Sequence, residues 1–336
     1  MAKLIEEYIL PYLGGFKGAE VGLEVLDDAA VVDGVVFKSD SHAVRPIFFP
    51  GGDIGRLAVA GTVNDMAVLG AEPVALACGF ILEEGLAFSD FERVLASIRT
   101  ACEEAEVFVV TGDTKVVEKG SLGGLVVNMS GIGRRSRELD HNLAVVRKHR
   151  CGFDARWVLD RNLRAGDKIV LSGSVGDHGL AVLSAQEGLA FGSKIVSDVR
   201  PLNRMIRNVL NVGGIVSMKD PTRGGLANAL NEWSQKAKVG ILVHEDRIPV
   251  RRDVRTASDM LGIDPLEVGN EGKVIIGVVE EMAKEVLETL RGTEEGKDAE
   301  IIGEATSEFN LVAMKTVVGG KRILPTPVGD PVPRIC

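Results

Sequence analysis

The sequence predicts an α/β protein of two domains followed by an extended tail. Two observations carry that expectation. Apolar runs of strand length alternate with runs of helical spacing, and the alternation breaks once, over an Arg-rich stretch at 134–166, before it resumes. A length of 336 residues also suits two domains of ordinary size.

Taken in order, residues 1–12 carry a short amphipathic helical pattern, and 25–39 (VLDDAAVVDGVVFKS) reads as β-rich chain around a glycine turn. The spacing in IGRLAVAGTVNDMAVLG predicts a helix over 54–70. PVALACGFIL then gives a strand over 73–82, ended by Glu83, Glu84 and Gly85. Ser89 is the expected N-cap of a helix over about 90–105, with Glu92 three residues on completing a capping box. EVFVVTGDT (106–114) reads as a buried strand running into a loop, and LGGLVVNMSGIG (122–133) as another strand. Over 134–166 the periodicity fades and arginines accumulate, so this is the candidate linker or insertion, expected as a solvated excursion. From KIVLSG (168–173) strand, glycine-rich turn and helix return, with strong elements expected at 202–212, 223–238, 273–279 and 280–291. Gly319-Gly320 is the expected hinge of the tail, and four of the last dozen residues are prolines. Proline at that density favours an extended arm, and at about 3.1 Å per residue the segment from Pro325 to Cys336 reaches roughly 35 Å.

Composition excludes several classes. Apolar residues make up 45% and charged residues 26%, enough for packed cores rather than disorder. The formal charge of −9 argues against non-specific nucleic-acid binding, and an acidic protein that holds an anionic nucleotide needs metal ions to bridge the two. The start has no basic segment followed by an apolar one, and no apolar run approaches the roughly 20 residues of a membrane span. The four cysteines (Cys78, Cys102, Cys151, Cys336) form no CxxC pair, so a reduced, cytoplasmic setting is expected.

The residues able to carry chemistry fall in turns. Asp27-Asp28, Asp40, Asn64-Asp65, Asp113 in GDT and Asp220 in DPTRGG are carboxylates in turn-like contexts, as a hard cation with phosphate ligands requires. Taken singly, each is more often a turn or cap residue. No GxxxxGK[ST] loop occurs, so a nucleotide would be held by another scaffold. Lys115 directly after GDT could neutralise charge on a transferring phosphoryl group, or be a surface lysine. Glu271 in GNEGK could act as a general base, or simply pair with Lys273. His178 is read as part of a strand-to-helix turn. Cys336 is a thiol beside its own carboxylate, a position that raises its pKa unless Arg334 compensates.

Together these segments resemble the HypE family of hydrogenase maturation factors, within the superfamily of aminoimidazole ribonucleotide synthetase, selenophosphate synthetase and thiamin-monophosphate kinase. The resemblance rests on LDDAAVV, SDSHAVRPIFFPGGDIGRLAVAGTVNDMAVLGAEP, GFILEEG, VTGDTKVVEKG, LSGSVGDHGLAVL, DPTRGGLANALNE, NEGK and the terminal DPVPRIC, which cover most of the chain. It implies an ATP-binding and dimerisation domain over 1–133, pairing into a dimeric barrel-like core, and a C-terminal α/β sandwich domain over 167–318. The tail over 319–336 would then carry the substrate on Cys336. The family activity is ATP-dependent dehydration of an S-carboxamide on the terminal thiol to a thiocyanate. A HypF-like carbamoyltransferase loads the thiol, and a HypC–HypD complex receives the cyano group for the iron of [NiFe] hydrogenase. Carried over by residue, Lys115 and Glu271 assist phosphoryl transfer and deprotonation. Asn64, Asp65, Asp40, Gly112, Asp113, Thr114 and Lys115 contact ATP, and Asp28, Asp40, Asp65, Asp113 and Asp220 bind Mg²⁺. In two places the chain departs from the family pattern. An HGAGG-like segment normally precedes the first helix, whereas here the chain begins at about that helix, and 134–164 is longer and more basic than the usual connection. A superfamily kinase or ligase acting on a free small molecule is the alternative, against which the PRIC terminus argues. A non-catalytic scaffold is a third reading, for which Lys115, Glu271 and the aspartates have no evident use.

Overall fold

The computed structural model describes residues 4–188 and 195–329. The N-terminal half builds a sheet from β1 (Ala19–Val21), β2 (Ala30–Val32), β3 (Val35–His42), β4 (Ala71–Glu83), β5 (Phe108–Val117) and β6 (Leu125–Arg135). Their order is β1-β2-β3-β6-β4-β5. All neighbours run antiparallel except the β4–β5 pair.

Helix α1 (Ile54–Val68) starts where Asp53 Oδ1 accepts from the N–H groups of Gly55 and Arg56, at 2.8 and 3.1 Å. It is buried on nearly every side, as its almost unbroken apolar sequence requires. One side covers β3 and β6, and the other meets the C-terminal half, so α1 is the spine between the two. Helix α2 (Phe88–Ala105) packs on α1 and buries only Val94, Ile98, Ala101, Cys102 and Ala105. It begins a residue ahead of Ser89. Ala87 holds the cap position with no side-chain bond, so the expected Ser89–Glu92 capping box does not form.

The strand expected as buried over 106–114, β5, is instead exposed along most of its length. It is the sheet edge, with β4 as its one partner among the described residues. Its valines, which suggest a core strand by composition alone, lie on an open surface.

Residues 134–166 are not a solvated excursion. They form α3 (Arg137–His149), capped by Ser136 Oγ, which accepts from Leu139 N–H at 3.0 Å. Leu139, Leu143 and Val146 sit at helical spacing and are fully buried, a pattern that the surrounding arginines hid. The Asn142 side chain exchanges two hydrogen bonds of 2.8 Å with the backbone of Ile215, fixing α3 to the C-terminal half.

That half contains β7 (Lys168–Leu171), α4 (Asp177–Glu187), α5 (Asn203–Val212), β8 (Ile215–Lys219), α6 (Gly225–Ala237) and β9 (Gly240–His244). It continues with α7 (Arg252–Leu261), β10 (Ile275–Val278), α8 (Ala283–Arg291), β11 (Glu300–Thr306), β12 (Val312–Lys315) and β13 (Lys321–Ile323). The strands form one sheet in the order β8-β10-β7-β11-β9-β12-β13. β13 changes the expected tail. Gly319-Gly320 is the turn of a β12–β13 hairpin rather than a hinge, because Gly319 N–H bonds Thr316 O at 2.9 Å and Thr316 N–H bonds Gly320 O at 2.8 Å. No helix among the described residues is long and apolar enough to cross a membrane.

Candidate active site

The cleft between the halves gathers acid. One carboxylate oxygen each from Asp28, Asp65 and Asp220 lies within 4.8 Å of the others. They come from the loop before β2, from α1, and from the turn between β8 and α6, so the cluster exists only because the two domains pack. Burial is the first cause that raises all three carboxyls, and repulsion from neighbouring carboxylates adds to it, from Asp160 on Asp28, from Asp28 on Asp65, and from both Asp65 and Asp28 on Asp220. Asp65 is pushed up to about 7. Asp220 also feels Glu271, which places that carboxylate beside the trio. Asp28 Oδ2 is buried without a hydrogen-bond partner among the described residues. Three crowded carboxylates with an orphaned oxygen fit a hard divalent cation, since it removes their repulsion and takes oxygen ligands.

Lysines flank the acids. Lys38 Nζ is 2.5 Å from Asp65 Oδ2, and Lys219 Nζ is 2.6 Å from Asp28 Oδ1. Burial opposes the charge on each, yet the facing carboxylates outweigh it and hold both lysines above their ordinary value. Lys219 also meets Asp160 Oδ2 at 3.2 Å, and Asp160 takes Lys236 at 2.7 Å and Trp233 Nε1–H at 2.8 Å. Asp27, pushed up to about 7 chiefly by burial and then by Asp160, accepts from Asp160 N–H at 3.2 Å. The completely buried Asp160 comes from the Arg-rich stretch and escaped the sequence reading. Lys38 and Lys219 escaped it too, although they lie two residues and one residue before aspartates it selected, Asp40 and Asp220.

Glu271 is buried in the loop that follows a single 3₁₀ turn, Pro265–Glu267. Its N–H donates to Asp198 Oδ1 at 3.2 Å, and Asp198 Oδ2 takes Lys273 at 3.0 Å. The pairing suggested for Glu271 with Lys273 is therefore made by Asp198. Glycine is required on both sides of this contact. A Cβ at Gly225 (φ +61) would meet Val268 O at 2.5 Å, and one at Gly269 would meet Thr222 O at 2.8 Å. These glycines let the DPTRGG and GNEGK loops touch, which brings Glu271 to Asp220.

The remaining expected residues separate into three groups. Asp40 lies on the same sheet face as α1, with Oδ2 at 3.5 Å from His42 Nε2, and its charge acts on Asp65. It is a neighbour of the trio rather than a member. Asn64 serves as a strut: its amide donates to Arg200 O at 3.2 Å and Glu271 O at 3.4 Å, and its oxygen accepts from Leu202 N–H at 2.7 Å. Both ends are thus committed to the second domain.

Gly112, Asp113, Thr114 and Lys115 do not join the trio within one chain. Gly112 pairs with Cys78, where an added Cβ would strike the Cys78 carbonyl oxygen, so packing accounts for that glycine. Asp40, Met129, Cys78 and Gly112 form one row across β3, β6, β4 and β5, with buried Cys78 turned towards Cys102 on α2. Strand alternation then puts Asp113 and Lys115 on the opposite, open face. His178 is the second residue of α4, just past the strand-to-helix turn, fully buried, with Nδ1 2.7 Å from Ser197 Oγ. Cys336 and Arg334 lie outside the described residues.

Two domains joined by a carboxylate-lined cleft define a class. Residues 26–135 match the AIR synthase related protein N-terminal domain, and 164–315 match the C-terminal domain of the same family. Carbamoyl dehydratase HypE of Azotobacter vinelandii is 45% identical, over 90% of this chain and 84% of the relative. A crystal structure of a HypE–HypF complex superposes with a TM-score of 0.87 at 41% identity, covering 96% of this chain and 99% of that one. HypE in complex with ATP gives a TM-score of 0.82 at 41% identity, covering 98% and 95%. The chain belongs to the HypE family of the AIR synthase superfamily.

Proposed function

We propose that this chain uses ATP to dehydrate an S-carboxamide on its own Cys336 to a thiocyanate during hydrogenase maturation. The observation that supports this most is the convergence of Asp28, Asp65 and Asp220 from both domains, next to the Glu271 loop. An amide oxygen is a poor leaving group, so the γ-phosphoryl group is transferred to the carboxamide oxygen, releasing ADP and one N–H proton. Loss of the second N–H proton and departure of phosphate then close the C≡N bond. Glu271 is the base for those protons. Asp28, Asp65 and Asp220 would hold Mg²⁺, with Asp40 close behind; when bound, the ion neutralises phosphate charge and screens the carboxylates. Lys38 and Lys219 keep the cluster from accumulating negative charge before the nucleotide arrives.

Lys115 and Asp113, on the open sheet face, act on the active site of a second copy. The apolar exposure supports a homodimer: Phe37 and Ile132 on that face, and Phe108, Val110 and Val116 on the edge strand, are all exposed. A HypF-like carbamoyltransferase loads Cys336, and a HypC–HypD complex receives the cyano group in the cytoplasm. The HypE–HypF complex of a similar chain supports the first partner.

The test is mass spectrometry of the C-terminal peptide after carbamoylation. Loss of one water from the Cys336 adduct, dependent on ATP and Mg²⁺, is the expected result. An unchanged adduct mass with both present would refute the reading.

A further inference from the structure

The tail leaves the second domain along a fixed line. Leu324 is buried, and its N–H donates to Val312 O at 2.9 Å, ending the β12–β13 hairpin. Its carbonyl accepts from Asn231 Nδ2 at 3.0 Å. The same amide nitrogen donates to Ala227 O at 2.8 Å, one turn back in α6, so its two hydrogens are divided between helix and tail. Three residues on, Pro327 Cγ lies 3.7 Å from where a Cβ on Gly224 would stand. Gly224 caps the N-terminus of α6, with φ +69. From Gly224 to Asn231 is seven residues, about 10 Å of helix, and three extended residues span about 10 Å as well. The tail therefore lies antiparallel to α6, travelling from its middle towards its N-terminus. That end of α6 opens into the DPTRGG loop, and Asp220 of the carboxylate trio is four residues before Gly224.

We infer that Asn231 is a positioning residue that clips the tail onto α6 and aims it at the active-site cleft. This rests on the proposed dehydration at Cys336. Without the clip, the arm would swing from the end of β13. With it, the last anchored residue is Pro327, nine residues from the thiol, a stretch of chain that can span at most about 28 Å as polyproline. A shorter arm launched in the right direction raises the effective concentration of the thiol at the site by a few-fold, roughly as the three-halves power of length plus the gain in orientation. Gly224 itself is required by the helix cap, since its φ of +69 and the 2.7 Å approach to Asn228 Cβ both exclude a side chain, while Pro327 passes it at ordinary contact distance.

The test compares the wild-type full chain with Asn231→Leu in two measurements. Amide exchange at Leu324, the residue whose carbonyl Asn231 holds and whose N–H bonds Val312 O, does not depend on catalysis, and Asn231→Leu should lower its protection at least threefold while that of α6 is unchanged. Single-turnover dehydration of the carbamoylated chain should slow at least threefold, with ATP affinity unchanged. A synthetic S-carboxamide peptide of sequence DPVPRIC, supplied to the Cys336→Ala chain, should react at the same rate whether or not Asn231→Leu is also present. The inference is overturned if tail protection is unaltered, if the intramolecular rate is unaltered, or if the rate with the free peptide falls equally. A wild-type chain that never dehydrates refutes the proposed function instead, and the exchange measurement still decides the clip.

Discussion

Lys219 of the second domain ends 2.6 Å from Asp28 of the first, so a candidate metal ligand is tied across the domain boundary by one ammonium. The same group lies 3.2 Å from Asp160 and 3.2 Å from Glu232. Lys219→Met would leave Asp28 and Asp160 with Lys236 as the other cation that acts on both. Removing one partner of a buried ion pair typically costs about 3–5 kcal/mol. The chain should unfold at lower denaturant concentration, with Lys219→Arg closer to wild type. An unshifted Lys219→Met midpoint would show that the network does not support the interface.

Asp65→Asn should weaken Mg-ATP binding by roughly tenfold or more, because it removes one of three hard oxygen ligands. It also leaves Lys38 facing a neutral amide, so the site becomes more positive and affinity for ATP without metal should not fall. Calorimetry with and without Mg²⁺ separates the two. Equal affinities for wild type and variant in Mg²⁺ would remove Asp65 from the ligand set.

The architecture was legible where one element carried one pattern. The continuous apolar run of α1 gave its bounds nearly to the residue, and Asp28, Asp65 and Asp220 could be selected as carboxylates before any fold was known, although Asp65 lies inside α1 rather than in a turn. What the sequence concealed depends on contacts between distant segments. The valines of β5 specify a strand without saying whether another strand covers it. Leu139, Leu143 and Val146 are an apolar stripe diluted by arginines that point outwards, and Asp160 gains its role only when Lys219 and Lys236 arrive from other elements. Asp113 and Lys115 share the GDTK motif, yet strand alternation turns them away from the trio of their own chain.

His178 gives the protein a dependence on acid. Burial holds its imidazole down at about 4, although Asp198 works in the other direction. Ser197 and Phe49 complete its surroundings, the first by a hydrogen bond and the second edge-on at 5.4 Å. The unfolded histidine has an ordinary value of about 6.5, so the unfolded state binds the extra proton first. The stabilisation is thus complete above pH 6.5 and declines as pH falls towards 4, by about 2 kcal/mol between pH 7 and 5. Urea unfolding at the two pH values should show that loss, and His178→Gln, which cannot titrate, should show a smaller one. Equal losses in both chains would assign the acid sensitivity to other groups.

Glu271→Gln and Lys115→Ala, each alone, should stall the chain at the carboxamide, with ATP still bound by the Glu271 variant. Their mixture distinguishes where Lys115 acts. If Lys115 serves the site of a second copy, a mixed dimer has one site with an intact Glu271 on one chain and an intact Lys115 on the other, while its second site lacks both. Random pairing makes half of the dimers mixed, so turnover should recover to about a quarter of wild type. If Lys115 serves its own chain, both sites of every mixed dimer are defective and the mixture stays inactive. Thiocyanate formed per chain after unfolding and refolding the two variants together, against each refolded alone, is the measurement. A silent mixture of properly dimeric chains would return Lys115 to its own protomer and require β5 to turn over before catalysis.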